Sequence, residues 1–309
     1  VAQEDIDVLI ARAQSLKNEK EDELLEKANV LGVGVGFKET KGKETEDICV
    51  AIYVKKKVAK KDLKSEDLVP ATYDGLPTDV REVGRIEALA FDARIRPARP
   101  GYSIGHYKIT AGTFGCLVRD TCYPCRTHIL SNNHVLANSN AASIGDPILQ
   151  PGAYDGGKIP GDVIARLTRF VPIRFGSADR YNLVDAALAT ARDQRDVIAS
   201  IVNIGIPRGT VEATLGMEVV KSGRTTETTT GKVIGIDVTA AVNYGVGIGY
   251  FRNQIMTTNM SAGGDSGSLL LSRNGREGTG LLFAGSSAIT LHNNIANVEM
   301  ALGVELITA

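Results

Sequence analysis

From residue 100 onward the chain is a succession of short β-type runs cut apart by Gly, Asn, Asp and Pro. They are Gly112–Val118, Ile129–Leu130, Val163–Leu167, Leu183–Ala189, Met217–Val220, Lys232–Val238, Ile255–Thr257, Ser268–Leu271 and Leu281–Ala284. Runs this short, bounded by turn residues and followed by a single helix-like segment at Asn294–Leu302, predict a mainly β sandwich or a pair of β-barrels. Abundant glycine (33 residues) and few aromatics (5%) suit a turn-rich β protein better than a helical bundle.

Charge is spread unevenly: 36 charged residues fall in the first 95 positions and 35 in the 214 that follow. The junction Arg94-Ile95-Arg96-Pro97-Ala98-Arg99-Pro100-Gly101 reads as an extended connector, so a small α/β domain over 1–95 is expected to precede the β-rich domain over 100–309. In the first part, Glu4–Ala28 carries Ile6, Leu9, Ile10, Ala13, Leu16, Leu24 and Leu25 at helical spacing, with a break expected near Asn18. Val30–Phe37, Ile48–Val54 and Thr78–Val83 read as strands. The basic run from Lys55 to Lys61 is surrounded by acids and reads as a solvated helix face rather than a nucleic-acid patch.

The net charge of −1 argues against a nucleic-acid or anionic-membrane partner recognised by bulk charge. No apolar stretch approaches the roughly 18 residues of a membrane span, and the N-terminus has no basic-then-apolar leader, so a soluble, cytoplasmic chain is the expectation. Cys116, Cys122, Cys125 and His128 have a spacing that zinc could use. A β-hairpin, with strands Thr113–Val118 and Thr127–Leu130 around the Asp120–Cys125 turn, accounts for them better. Neither a metal nor a cofactor is expected.

Three segments carry chemistry. Asn133-His134-Val135-Leu136 places an imidazole at the end of a β-type run, and Asp185 sits among apolar neighbours, where it needs a hydrogen-bonding partner. Gly263-Gly264-Asp265-Ser266-Gly267 sets a serine in a small-residue turn. A serine hydroxyl needs a base, imidazole suits that task, and a buried carboxylate orients the imidazole. His134, Asp185 and Ser266 fill these roles, and the N–H groups of Gly264 and Ser266 are placed to stabilise a developing oxyanion. Asp179, in the polar run Gly176–Arg180, is the rival to Asp185.

Gly264-Asp265-Ser266-Gly267-Ser268, Asn133-His134-Val135-Leu136 and Asp185-Ala186-Ala187-Leu188 resemble the motifs of trypsin-like, chymotrypsin-fold serine proteases, and the His, Asp, Ser order is that of the family. The resemblance implies two six-stranded antiparallel β-barrels over about 100–309, with the site between them. Ser222-Gly223-Arg224-Thr225-Thr226 is similar to a stretch of the bacterial streptogrisin and α-lytic branch, which implies an ion pair of Arg224 with Asp265. Digestive members instead supply that charge through a new N-terminus made by proteolysis, so the enzyme implied here needs no activating cleavage. Arg99–Ser103 and Ala111–Thr113 look similar to bacterial proteins related to plant narrow-leaf-type proteins.

The resemblance also places Met260 at the floor of the primary pocket and Gly285 and Ser286 on its wall. With no acid there, preference for Arg or Lys is not supported, and a neutral or apolar side chain is expected; His292 reading an acidic residue is the lesser alternative. The function implied is a serine endopeptidase acting on protein or peptide substrates. The alternatives are a non-catalytic binding or scaffold protein on the same fold, and an esterase with the same triad. Residues 1–95 are a candidate pro-domain, partner module or homo-oligomer contact.

Overall fold

The computed structural model describes residues 3–40, 42–84, 91–123, 126–177 and 179–309. The chain divides into two compact units, Val1–Leu89 and Ala90–Ala309. In the first, helix α1 (Gln3–Glu26) packs on a sheet of β1 (Val30–Thr40), β2 (Lys43–Val54), β3 (Thr72–Tyr73) and β4 (Leu76–Glu82), in the order β1-β2-β4-β3. Ile48, Val50, Ile52 and Val54 alternate along β2 and meet Ala13, Leu16 and Leu24 of α1 in one core. The helix runs unbroken through Asn18, where a break was expected. Residues 55–61 are also not a helix face: beyond β2 the Lys56 and Lys57 N–H groups bond to Asn29 Oδ1 and Glu82 Oε2, and only Lys60–Asp62 forms a 3₁₀ turn.

The second unit contains β5 (Ser103–His106), β6 (Gly112–Thr113), β7 (Cys116–Asp120), β8 (Thr127–Ser131), α2 (Asn133–Leu136), β9 (Pro147–Leu149), β10 (Val163–Phe170), β11 (Tyr181–Asn182) and β12 (Ala187–Ala191). These are followed by β13 (Glu218–Gly223), β14 (Glu227–Asn243), β15 (Ile248–Thr258), β16 (Leu269–Ser272), β17 (Gly278–Gly285), β18 (Ile289–Asn294), α3 (Ile295–Leu302) and β19 (Val304–Leu306). In the first barrel-like sheet the antiparallel run β7-β8-β12-β10-β9-β5 is extended by β19 at one end and β6 at the other. In the second, β15 pairs with both β14 and β18, so β15-β14-β13-β16-β17-β18 close into an antiparallel barrel. The Leu183–Ala189 run divides into a loop followed by β12, which leaves Asp185 on the loop.

Period-two alternation sorts the side chains of these strands into separate cores. Leu117, Ile129, Ala187 and Ala189 face the interior of the first barrel with Phe114 and Ile164. Their neighbours Cys116, Val118, Leu130 and Leu188 face the other way and pack against Val220, Leu269, Leu271 and Leu281 of the second barrel and Ile295 and Val298 of α3. Val219, Val233, Ile255 and Leu270 fill the second barrel. Strands buried on both faces lack a polar side, which is why the sequence shows short continuous apolar runs. Phe114 is wholly buried. Phe114→Ala should lower stability by about 3–5 kcal/mol, read as a reduced denaturant midpoint at unchanged slope; a loss under about 1 kcal/mol would contradict its place in the barrel interior.

Candidate active site

β8 ends at Ser131, and one turn of helix α2 turns the next segment out of the sheet and presents His134. Asp185, on the loop before β12, is completely buried, whereas the His134 side chain keeps 23% of its exposure. Asp185 Oδ2 accepts from His134 Nδ1 at 2.6 Å and from Tyr244 Oη at 2.8 Å, and Oδ1 accepts from the His134 backbone N–H at 3.2 Å. Its loop is held by Asn293 Oδ1, which accepts from Asp185 N, and by Asn132 Nδ2, which donates to Asp185 O. These donors offset the cost of burying a carboxylate, and they leave His134 Nε2 as the ring nitrogen free to take a proton.

Tyr244 was not foreseen. It sits at the tip of the β14–β15 hairpin, and its ring lies edge-on to His134 with centroids 5.8 Å apart. Burial, and the Asp185 charge beside it, push its phenol pKa up, so it is a hydrogen-bond donor. The rival Asp179 is exposed, with its carboxylate bonded to Ser177.

Ser266 lies in the turn between β15 and β16. Thr113 ties that turn to the His134 segment: its N–H donates to Ser266 O at 2.8 Å, and its carbonyl accepts from Ser131 Oγ at 2.7 Å. Among the described residues no hydrogen bond joins Ser266 Oγ to His134, whereas His134 and Asp185 are bonded to each other. Such bonds often tighten only when substrate is present. Neither the Gly264 nor the Ser266 N–H donates to a backbone carbonyl among the described residues, while Asp265 N and Gly267 N donate to Ala262 O and Leu282 O. Two backbone donors flank the serine unspent.

The expected Arg224–Asp265 pair is not what forms. Asp265 is fully buried, and its cation is the equally buried Lys221, with Nζ 3.3 Å from Oδ2. Asp265 also accepts from the N–H groups of Thr225 (2.9 Å), Thr226 (3.1 Å) and Ala262 (2.9 Å) and from Thr226 Oγ1 (2.6 Å). The reason is strand alternation. Lys221 and Gly223, two apart on β13, share the face that looks at Asp265. Gly223 has to lack a side chain, since a Cβ there would stand 2.6 Å from both Asp265 Oδ1 and Ser268 Oγ. Arg224 lies beyond the strand and forms its ion pair with Asp155 instead. Burial pushes the Lys221 pKa down, and Asp265 opposes that shift.

A cleft of about 410 Å³ opens beside Ser266, lined by Ser261, Gly263, Leu282, Gly285, Ser286 and Ser287 among others. Gly285 and Ser286 are among its lining residues. Met260, expected at the pocket floor, is instead buried in the second barrel's core with Val233 and Ile255, because its side chain turns inward from the strand end. His292 is also buried on β18, its Nε2 bonded to Thr257 Oγ1 at 3.0 Å, and burial lowers its pKa to about 3. Cys116 faces the core between the barrels and His128 Nδ1 bonds to Thr190 Oγ1, so these two do not converge on a metal; Cys122 is exposed and Cys125 lies outside the described residues.

Removing one partner of a buried pair leaves the other charge uncompensated. Lys221→Met should therefore cost about 3–5 kcal/mol in equilibrium unfolding, and adding Asp265→Asn should restore part of it. Wild-type stability for Lys221→Met would show that the pair does not hold the turn.

Residues 3–82 match the family described as NARROW LEAF 1 N-terminal domain. Glutamyl endopeptidase 2 of Streptomyces griseus is 43% identical over 91 residues, which make up 29% of this chain and 40% of that protein. The chain thus spans less than half the length of that relative. Nocardiopsis protease (NAPase) superposes with a TM-score of 0.51 at 17% identity, covering 68% of this chain and all of that one. Thermobifida fusca protease A gives a TM-score of 0.49 at 20% identity over 69% of this chain and all of its own. The unit Ala90–Ala309 has the chymotrypsin-type fold of bacterial serine proteases, and the segment before it is similar to the N-terminal domain of NARROW LEAF 1 proteins.

Proposed function

We propose that the second unit is a serine endopeptidase. Ser266 Oγ adds to the carbonyl carbon of a peptide bond as His134 Nε2 takes its proton, and the carbonyl oxygen becomes an oxyanion held by the Gly264 and Ser266 N–H groups. The C–N bond then breaks, and His134 returns the proton to the departing amine. Water repeats the sequence on the acyl-enzyme, releasing the acid and restoring Ser266. Asp185 holds the imidazole in the tautomer this requires and stabilises the imidazolium. The observation that carries this reading is the 2.6 Å bond between His134 and a wholly buried Asp185 whose other donors are backbone and phenol groups, together with a serine turn that Thr113 ties to the His134 segment.

The second reading is a binding protein on the same fold, favoured by the unformed Ser266–His134 bond. A diphenyl alkylphosphonate with mass mapping separates the two. Labelling at Ser266 that disappears in His134→Ala and Ser266→Ala supports the enzyme; folded wild-type protein that takes no label supports the binding protein. In the enzyme, turnover should fall about 10⁶-fold in Ser266→Ala and about 10⁴-fold in Asp185→Asn.

The name of the Streptomyces relative specifies glutamate. Here the described residues lining the cleft carry no charge, and the neighbouring His292 is buried and neutral. An uncharged side chain before the scissile bond is the preference this lining supports, because a charged one would be desolvated without a partner. In a positional peptide library, uncharged residues should be favoured over Asp, Glu, Lys and Arg by at least about tenfold at that position. Selection of glutamate would overturn this assignment.

A further inference from the structure

Each of the two oxyanion-hole N–H groups belongs to a peptide whose carbonyl is held from behind. Asp265 O, in the peptide that carries the Ser266 N–H, accepts from Ser268 N at 3.1 Å and Ser268 Oγ at 2.6 Å. Gly263 O, in the peptide that carries the Gly264 N–H, accepts from Thr225 Oγ1 at 2.8 Å. In a trans peptide the N–H points opposite to the C=O. Gly263 and Ser266 line the cleft and Thr225 does not, and a Gly263 carbonyl turned toward Thr225 points the Gly264 N–H away from Thr225.

The peptide between Gly263 and Gly264 needs holding. Both residues lack a Cβ, and Gly264 sits at φ +101°, a region open to glycine. Rotating this peptide by half a turn would put the Gly263 carbonyl oxygen where the oxyanion has to form. The hydroxyl that prevents this is itself fixed. Thr225 Oγ1 accepts from Arg224 Nη1 at 3.0 Å, and Arg224 is gripped by Asp155 of the first barrel. Asp155 in turn accepts from Ser103 Oγ at 2.5 Å. The Arg224 backbone N–H makes a parallel relay: it donates to Thr113 Oγ1 at 3.0 Å, which donates to Gly264 O at 2.9 Å.

We infer that Thr225 is a positioning residue that latches the 263–264 peptide in the orientation forming the oxyanion hole, and that Arg224 and Asp155 anchor the latch to the first barrel. The inference rests on the hydrolase reading above and adds to it a device outside the His–Asp–Ser set. It also gives Arg224 a function other than neutralising Asp265.

Thr225→Val removes the hydroxyl at nearly constant volume and leaves the Thr225 N–H bond to Asp265 in place; Thr225→Ser keeps the hydroxyl. With the diphenyl alkylphosphonate at varied concentration, Thr225→Val should lower the maximal rate of Ser266 labelling about 10²-fold with the half-saturating concentration unchanged, and Thr225→Ser should label within a few-fold of wild type. A crystal structure of Thr225→Val should show the 263–264 peptide rotated. Wild-type labelling by Thr225→Val, or an unrotated peptide in its crystals, overturns the latch. Should Thr225→Val not fold, Arg224→Met carries the same test, because it frees the hydroxyl from its anchor; labelling at the wild-type rate there also counts against the latch. A wild-type protein that takes no label sinks the hydrolase reading instead, and the peptide orientation in Thr225→Val crystals still decides the latch.

Discussion

The geometry around Ser266 depends on a charge pair that water does not reach. Lys221 and Asp265 are both fully buried, and neither could be placed there without the other. Asp265 is one residue before the serine, so whatever fixes its carboxylate fixes the turn. The carboxylate is met from several sides at once: the ammonium, the Thr226 hydroxyl and three backbone N–H groups. A site of this kind is satisfied in one backbone conformation and penalised in others, because any departure leaves a buried charge short of donors. The cation comes from the middle of strand β13, so it is in position as soon as the barrel closes.

Around that fixed point the proposed catalytic groups are divided between the barrels. His134 and Asp185 come from segments next to β8 and β12 of the first, and Ser266 from the turn before β16 of the second. Thr113 of β6 joins them by donating to the Gly264 carbonyl, and Arg224, which holds the Thr225 hydroxyl, pairs with Asp155 across the seam. Tyr244 reaches Asp185 from the far end of a long hairpin of the second barrel. The seam between barrels is therefore crossed repeatedly by hydrogen bonds that converge on the site.

What could be read from the sequence was whatever is written in consecutive residues. The His134 and Asp185 segments and the Ser266 turn announce themselves locally, and the apolar runs announce β structure because both faces of the strands are buried. The partner of Asp265 could not be read this way. Lys221 lies within β13 and Arg224 just past its end, and which of the two cations meets Asp265 depends on where the strand stops and on register, properties of the sheet rather than of the segment. The signal was nonetheless there: a lysine in Val219-Val220-Lys221-Ser222 is a charge inside an apolar strand, and such a charge demands a buried partner. Met260 failed for a related reason, since beyond the end of β15 the sequence alone does not say whether its side chain turns to the cleft or into the barrel core. Tyr244 had no local signature at all, because its role exists only once a hairpin tip has folded back over a loop 59 residues away in sequence.

The alternation along β7, β8 and β12 has a further meaning for how such a unit can change. Those strands are a party wall: one face belongs to the first barrel and the other to its neighbour, with a single layer of backbone between. Neither barrel could be transplanted alone without baring a contiguous apolar surface, so the two hold together as one piece. The connecting loops are free of that constraint and can lengthen or shorten while both sides of the wall stay covered.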